Sequence, residues 1–574
     1  MNPNIAKAFT TGYERMAGWS ELLDEINVYP VADADTGRNL RISLSPLSDI
    51  TEIEQIPQRL LAGAVGNSGN IAAAFFSGFI LYEKTRSLPH AAAVGAQAAW
   101  KAIAQPVTGT MLCVFDVLAQ SVAGHDACLN GEDYIPVIHA LKAAVIDTAS
   151  GLERLRKAGV VDAGALGMYL FFEGFFSKLM NRKETLLPVP ALFGKKVARP
   201  APVLESITES FCISTLVTPS QGIEMAKSQL GQLGSQVIMV PDSGKLKAHF
   251  HSADPEAALM AVHAIGRPEI WKVETIAPIE DWENPNRKVH VAVDAAGSIC
   301  PDAARKEGLT LLDSYIVWPD RSVPETSVTG DDLYAAMRKA VRISTAQASS
   351  FERDQRFESL LSRFDHTLYL SVGSVYTGNF QHARTWVNNR GAGNRFKVVD
   401  TGAASGRLAV LAIAVSRFAK TGADLQTVEK VAQELLPRCE EFIFLDQLKY
   451  LATGGRISKA GGFFGDMLRI KPVITPTPHG ARKAGAVKSR AGQVAFALDR
   501  LKETLPSDGT GFILLEHSDN ADWVASVVAP EVRSLLPQME ILGQPLSLTS
   551  GVHMGPGTWG VAFIRPQTLG TIRS

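Results

Sequence analysis

The sequence predicts a multidomain chain, with an all-α domain first, a small α+β domain in the middle and an α/β region last. Three observations carry that prediction. The length of 574 residues exceeds what a single core serves, since domains usually run to roughly 100–200 residues. Up to about Met180, apolar residues recur at helical spacing and strict alternation is missing. From Lys288 onward, apolar runs of strand length alternate with helical patterns, as α/β architectures require.

Composition narrows the function classes. Lys+Arg 57 against Asp+Glu 58 gives a formal net charge of −1 with no long run of either sign, so no basic field exists to hold nucleic acid. Five cysteines are scattered and never form a CxxC pair, which suits a reducing compartment rather than a disulfide framework. The N-terminus lacks a charged segment followed by an apolar one, and no uninterrupted apolar run nears the ~20 residues of a membrane span. A soluble cytoplasmic protein without stable membrane insertion is expected.

In the first domain, residues 1–186, Leu60, Leu61 and Ala64, then Ala72 to Leu81, Ala91 to Ile103 and Ile138 to Ile146, follow the helical period. Its chemistry would sit in the loops. Asn27-Val28-Tyr29-Pro30-Val31-Ala32-Asp33-Ala34-Asp35-Thr36-Gly37 carries two carboxylates one residue apart, enough to seat a magnesium ion when a nucleotide supplies the remaining ligands. The same residues also fit an Asx-turn that merely caps a helix. Gly66-Asn67-Ser68-Gly69-Asn70 and Thr108-Gly109-Thr110 each open a helix with small residues, leaving free N–H groups for an anion, or else Ser68 and Thr108 are plain N-caps. Gly159-Val160-Val161-Asp162-Ala163-Gly164-Ala165 is a third such loop, in which Asp162 serves a nucleotide or a cap. Proline-rich Leu187-Pro188-Val189-Pro190 and Arg199-Pro200-Ala201-Pro202 mark a linker over 187–204.

Over 205–286, Gln236 to Val240 and Leu246 to Phe250 read as strands and Ala257 to Ile265 as a helix. His249 and His251 are two apart in a strand and share a face. They can bind a transition metal with Cys212 as a soft third ligand, or simply make a polar strand face. Over 287–574, the runs Val289 to Val293, Leu368 to Val372, Lys397 to Asp400, Phe442 to Leu445 and Gly511 to Leu515 argue for mostly parallel strands. Ligands gather at the carboxyl ends of such strands. Four loops stand out: Thr345-Ala346-Gln347-Ala348-Ser349, Tyr376-Thr377-Gly378-Asn379, Gly454-Gly455-Arg456-Ile457-Ser458 and Gly551-Val552-His553-Met554-Gly555-Pro556-Gly557. Arg456, His553 and the hydroxyls suit a carboxylate or phosphate, although Arg456 equally fits a surface ion pair and His553 a turn.

In order and in kind, the loops of the first domain resemble the ATP-binding subunit of bacterial fatty acid kinase, whose kinase domain is similar to the nucleotide domain of dihydroxyacetone kinases. The resemblance continues through Phe211-Cys212 and His249-Phe250-His251. Over 288–566, and most specifically at Gly454-Gly455-Arg456-Ile457-Ser458-Lys459 and Gly551-Val552-His553-Met554-Gly555-Pro556-Gly557, the chain resembles the DegV family of fatty-acid-binding partners.

That likeness implies a helical barrel for 1–186 in which Asp33 and Asp35 hold Mg2+ against ATP. Gly66, Asn67, Ser68, Gly69, Thr108, Gly109, Thr110 and Asp162 would form the nucleotide loops, with Ser68 and Thr110 in the phosphate cradle. Cys212, His249 and His251 would take Zn2+. Thr345, Thr377, Gly378, Arg456 and His553 would form an acyl head-group site, with Arg456 and His553 orienting the reacting carboxylate. The chain departs from the family pattern at Ala34, where Gly is usual, at Val65, Thr108 and Ala165-Leu166, and at Ala346 and Thr377. The activity implied is a single-chain fusion that phosphorylates a bound fatty acid to an acyl phosphate for a downstream acceptor enzyme. Transfer runs within one chain or between two copies in a homodimer. Two other readings stand beside it: a kinase of a small hydroxylated metabolite, and a non-catalytic lipid-binding or regulatory protein.

Overall fold

The computed structural model describes residues 3–50, 52–124, 134–182, 186–200, 211–242, 244–275, 287–453 and 470–566. The chain forms two compact units, the first made of Met1–Glu280 with Phe351–Ser359 and the second of Asp281–Ser350 with Leu360–Ser574.

The first unit begins with helices α1 (Pro3–Ala17), α2 (Ser20–Glu25), α3 (Thr36–Ser43), α4 (Ile56–Gly63), α5 (Gly66–Phe79), α6 (Tyr82–Thr85), α7 (Leu88–Ala102), α8 (Met111–Val122), α9 (Tyr134–Gly151), α10 (Glu153–Ala158) and α11 (Ala163–Leu179). In α1, Ile5, Phe9, Met16 and their neighbours at helical spacing are buried while the opposite face is polar. α11 is buried on nearly every side and packs against α1, α2, α3, α8 and α9, so the other helices enclose it. Phe9, Phe75, Phe76, Phe79, Phe171, Phe172 and Phe175 fill the interior, and Phe75 stacks on Phe115 at 3.9 Å. Burying each such ring contributes about 1.5–3 kcal/mol. The proline-rich stretch after α11 includes α12 (Val189–Phe193), whose Phe193 meets Tyr169 edge-on.

The middle of the chain forms one antiparallel sheet in the order β2-β3-β1-β4, from β1 (Phe211–Pro219), β2 (Ser235–Asp242), β3 (Lys245–Ser252) and β4 (Gly266–Thr275). Helices α13 (Ile223–Leu230) and α14 (Pro255–Ile265) contribute Leu230 and Val262 to a core with Ile213, Leu246, Ala248 and Phe250. Alternation then places Cys212, Ser214, His249 and His251 on the opposite face.

Among the described residues the second unit holds three sheets. The first is parallel, in the order β11-β10-β5-β6, from β5 (Val289–Asp294), β6 (Leu309–Leu312), β10 (His366–Ser371) and β11 (Phe396–Asp400). A small antiparallel sheet joins β7 (Ser314–Val317), β8 (Ser322–Pro324) and β9 (Ser344–Gln347). The third has the order β14-β13-β12-β17-β15-β16, from β12 (Cys439–Phe444), β13 (Lys471–Thr477), β14 (Gly480–Val487), β15 (Gly511–His517), β16 (Met539–Pro545) and β17 (Trp559–Ile564). Only β15 and β16 run parallel in it, so the expected parallel arrangement fails there. Apolar runs report burial of both faces and say nothing of strand direction. Among the described residues no helix is long and apolar enough to cross a membrane.

Candidate functional site: a carboxylate loop, a Cys/His cluster and an apolar cavity

The loop between α2 and α3 brings the Asp33 and Asp35 carboxyls into hydrogen-bond contact. The turn places Ala34 at φ 52°, where an L-residue is roughly 1–2 kcal/mol worse than glycine. Alanine here strains the turn without abolishing it. Asn27 Nδ2 donates to Asp33 Oδ1 at 2.7 Å, and burial, followed by the charge of Asp35, holds the Asp33 carboxyl well above the usual carboxylate range. Behind them Asp24 Oδ1 accepts the backbone N–H groups of Gly37 at 2.6 Å and Arg38 at 3.1 Å. Burial pushes Asp24 up to about 8, with the charges of Asp35 and Glu21 adding to the effect. Carboxyls crowded this closely repel when ionised, and a hard divalent cation relieves that repulsion. The all-oxygen donor set fits magnesium.

Close contacts hold this loop beside the start of α5. A Cβ on Gly37 would fall 1.9 Å from the Ser20 carbonyl oxygen, and one on Gly66, at φ 61°, would fall 2.0 Å from Asn39 Nδ2. Thr36 Oγ1 lies 3.3 Å from Ser68 Oγ. Neither Ser68 nor Thr108 caps a helix: α5 is preceded by Val65, α8 by Thr110, and no side chain caps either end. At α5 this leaves first-turn N–H groups without a side-chain cap, whereas in α8 the Met111 N–H already donates to Asp162 and Cys113 N to the Thr110 carbonyl at 3.0 Å. Asp162 does cap α11, accepting from Ala165 N at 2.7 Å, and burial pushes it up to about 6. A cavity of about 340 Å³ is lined by Asn67, Ser68, Thr110 and Asp162 among others, whereas Asp33, Asp35, Gly66, Gly69, Thr108 and Gly109 are not part of its wall. The buried Asn67 Oδ1 has no hydrogen-bond partner among the described residues.

On the middle sheet, the register pairs Cys212 with His251 and Ser214 with His249. Cys212 Sγ lies 3.6 Å from His249 Nε2, Ser214 Oγ lies 2.9 Å from His249 Nδ1, and the ligand atoms of Cys212, His249 and His251 all fall within 4.8 Å of one another. Burial, then His251 and Lys247, pull His249 down to about 3, so it is a neutral imidazole able to bind metal. Burial raises the Cys212 thiol, helped by Asp35, Glu274 and Asp33, which puts the carboxylate loop near the cluster. A donor set of one thiol and two imidazoles fits zinc. Cys212→Ser is expected to weaken Zn2+ binding at least about 100-fold in chelator competition, since thiolate is the strongest of the three ligands. Equal retention of zinc would reduce the cluster to a polar strand face.

In the second unit, an apolar cavity of about 120 Å³ is lined by Val372, Ile443, Leu451 and Ile474 and bears hydroxyls from Thr345, Thr377, Ser405 and Thr549. Thr345 Oγ1 lies 3.4 Å from His553 Nε2. Thr377 Oγ1 accepts from Asn379 N at 3.0 Å, while Gly378 precedes that helix and does not line the cavity. Arg456 lies outside the described residues. The volume falls below the roughly 300–1,000 Å³ of small-molecule sites.

Several residues that shape these sites carry no sequence motif. Asp294 Oδ1 accepts from Tyr369 Oη at 2.7 Å and Asn379 Nδ2 at 2.8 Å, and its Oδ2 accepts from Val372 N at 2.7 Å, fixing the loop that carries Thr377. Ser405, at φ 54°, donates to Glu516 Oε1 at 2.9 Å. Burial and the Glu516 charge hold its partner Glu441 well above the usual range. Thr549 donates to Glu325. Glu441 and Glu516 were the findable ones, since each is an acid inside an apolar strand run.

A helical domain with a carboxylate pair, joined in one chain to a small sheet domain and an α/β region with an apolar cavity, is a fatty acid kinase-like architecture. The chain carries, in order, a DAK2 domain over residues 30–177, a FakA-like middle domain of the fatty acid kinase type over 208–279 and a DegV domain over 288–566. A DegV domain-containing protein of Caldanaerobacter subterraneus subsp. tengcongensis is 25% identical over 280 residues, covering 48% of this chain and 98% of that protein. Protein YloV of Bacillus subtilis is 27% identical over 309 residues, covering 47% of this chain and 55% of YloV, so the chain spans about half of that relative. A fatty-acid-binding DegV family protein from Thermus thermophilus superposes with TM-score 0.44 at 22% identity, covering 49% of this chain and all of that one.

Proposed function

We propose that this chain transfers the γ-phosphoryl group of ATP to the carboxylate of a fatty acid held in its DegV domain, giving an acyl phosphate for a downstream acceptor enzyme. The observation that carries it is the contact of Asp33 with Asp35 on a loop whose Thr36 meets Ser68 at the start of α5, a helix with no side-chain cap. Magnesium, when bound by Asp33 and Asp35, neutralises charge between phosphates. The chain's own groups do the rest. First-turn N–H groups of α5 with Ser68 and Thr110 hold the phosphates, and Asn27 keeps Asp33 in its orientation. The acyl carboxylate is already nucleophilic, so Thr345, Thr377, Arg456 and His553 need only orient it and offset its repulsion from the γ-phosphate.

Oleate-stimulated release of ADP from Mg·ATP, followed by a coupled assay, tests the reading. ADP formation that ignores added fatty acid would favour a small-metabolite kinase. His553→Ala is expected to weaken oleate binding about 10–100-fold, the value of one hydrogen bond to a charged group, in a fluorescent fatty-acid displacement titration. Unchanged affinity would remove His553 from the head-group site.

A further inference from the structure

We propose that the edge strand β2 of the middle domain closes the nucleotide cavity and that Gln236 reads the adenine base. The inference rests on the nucleotide reading of that cavity. Its starting point is an irregularity. Ser235 pairs with His251 but Ile238 pairs with His249, so β2 holds one extra residue against β3, and Gln236 lies in the bulge at φ 55°. A bulge re-aims a side chain, and a left-handed non-glycine residue is costly enough to need a reason.

Three separate contacts dock β2 and its neighbour β3 on the helical domain. Lys247 Nζ donates to the carbonyls of Leu61 at 2.8 Å and Ala62 at 3.2 Å, capping the C-terminal end of α4 where a cation is favoured. Ala104 N donates to Val237 O at 3.0 Å, and Ile103 bridges to Ile238. Ile238 and Val240 pack on Ala74 and Ala102.

The wall of the cavity beside β2 is mixed, with polar and apolar side chains. Asn67, Ser68 and Thr110 supply the phosphate-type groups, whereas Gln105 from the helical domain and Gln236 from β2 supply amides, with Ile71 and Met111 also on its wall. Both glutamines are solvent-exposed at the cavity mouth, and neither side chain has a hydrogen-bond partner among the described residues. A glutamine amide offers one donor and one acceptor together, which matches the N6–H and N7 edge of adenine and mismatches the O6 and N7 acceptors of guanine. At about 340 Å³ the cavity is in the range of small-molecule sites.

Calorimetry on the full chain with Mg·ATP, Mg·GTP and inorganic tripolyphosphate tests the proposal. Gln236→Gly keeps the left-handed backbone while removing the amide, so the sheet should survive with an unchanged melting temperature. The expected result is a roughly 3–10-fold weaker Kd for ATP, loss of the preference for ATP over GTP and an unchanged Kd for tripolyphosphate. Wild-type affinity for ATP in Gln236→Gly, or equal wild-type affinity for ATP and GTP, overturns the base-reading role while leaving the nucleotide reading intact. A wild-type chain that binds none of the three ligands brings down both.

Discussion

Asp35→Ala is expected to lower fatty-acid-dependent ADP formation at least about 10³-fold while leaving the fold at least as stable as before. The loss follows from the chemistry. Phosphoryl transfer depends on positioning and charge neutralisation rather than on covalent help, and a metal that cannot be seated forfeits several kcal/mol of transition-state stabilisation. Asn27 can still orient Asp33, but a single carboxylate no longer clamps the ion. The gain in stability follows from the same crowding: Asp35 raises both Asp33 and Asp24, so its removal relieves two buried neighbours. Activity and melting temperature should thus move in opposite directions, as when a site is strained for function. A variant that loses activity together with its melting transition would point to a structural role, and one that keeps turnover would remove the metal assignment.

Glu325→Gln is expected to make the chain less sensitive to alkaline pH, by up to about 5 kcal/mol for a group this buried. Burial raises Glu325 from 4.5 to about 8, with Asp313 and Asp294 adding to the rise and the Thr549 hydrogen bond opposing it. A group whose folded pKa lies above its unfolded one keeps its proton in the native state while the unfolded chain has already lost it. Stability from this source is complete below about 4.5 and drains away as pH climbs through about 8. Glutamine stays neutral throughout. Urea melts at pH 5, 7 and 9 check the sign, with the two proteins similar at pH 5 and the variant increasingly more stable toward pH 9. Glu441 is also held above the usual range, but it is common to both proteins and cancels in the difference. A constant difference across the pH range would mean that Glu325 ionises like an exposed carboxylate.

Much of this was legible in the chain because period reports burial. The apolar repeat of α1 and α5 announced helices packed on a shared core, and the two-residue spacing of His249 and His251 announced a common strand face. Cys212 could be offered as a third ligand by its chemistry, but that it stands opposite His251 depends on strand register, which one sequence does not encode locally. Strand direction in the third sheet was lost for a related reason: runs such as Phe442 to Leu445 are buried whether their neighbours run parallel or antiparallel. Positions whose meaning lies in the backbone were the most opaque. Ala34, Gln236 and Ser405 occupy left-handed conformations without being glycine, so nothing in their chemistry marks them. Asp24 was hidden differently, since its role depends on the N–H groups of Gly37 and Arg38 and not on any neighbour in sequence.

The most direct test of phosphate passing to a fatty acid is to trap the product. Purified protein incubated with oleate, magnesium and ATP in neutral hydroxylamine should yield oleoyl hydroxamate, detected by mass spectrometry, in an amount that depends on ATP and disappears with Asp35→Ala. No hydroxamate from folded, oleate-loaded protein, or an equal yield without ATP, would contradict acyl phosphate formation and leave a lipid-binding chain whose kinase-like half is silent.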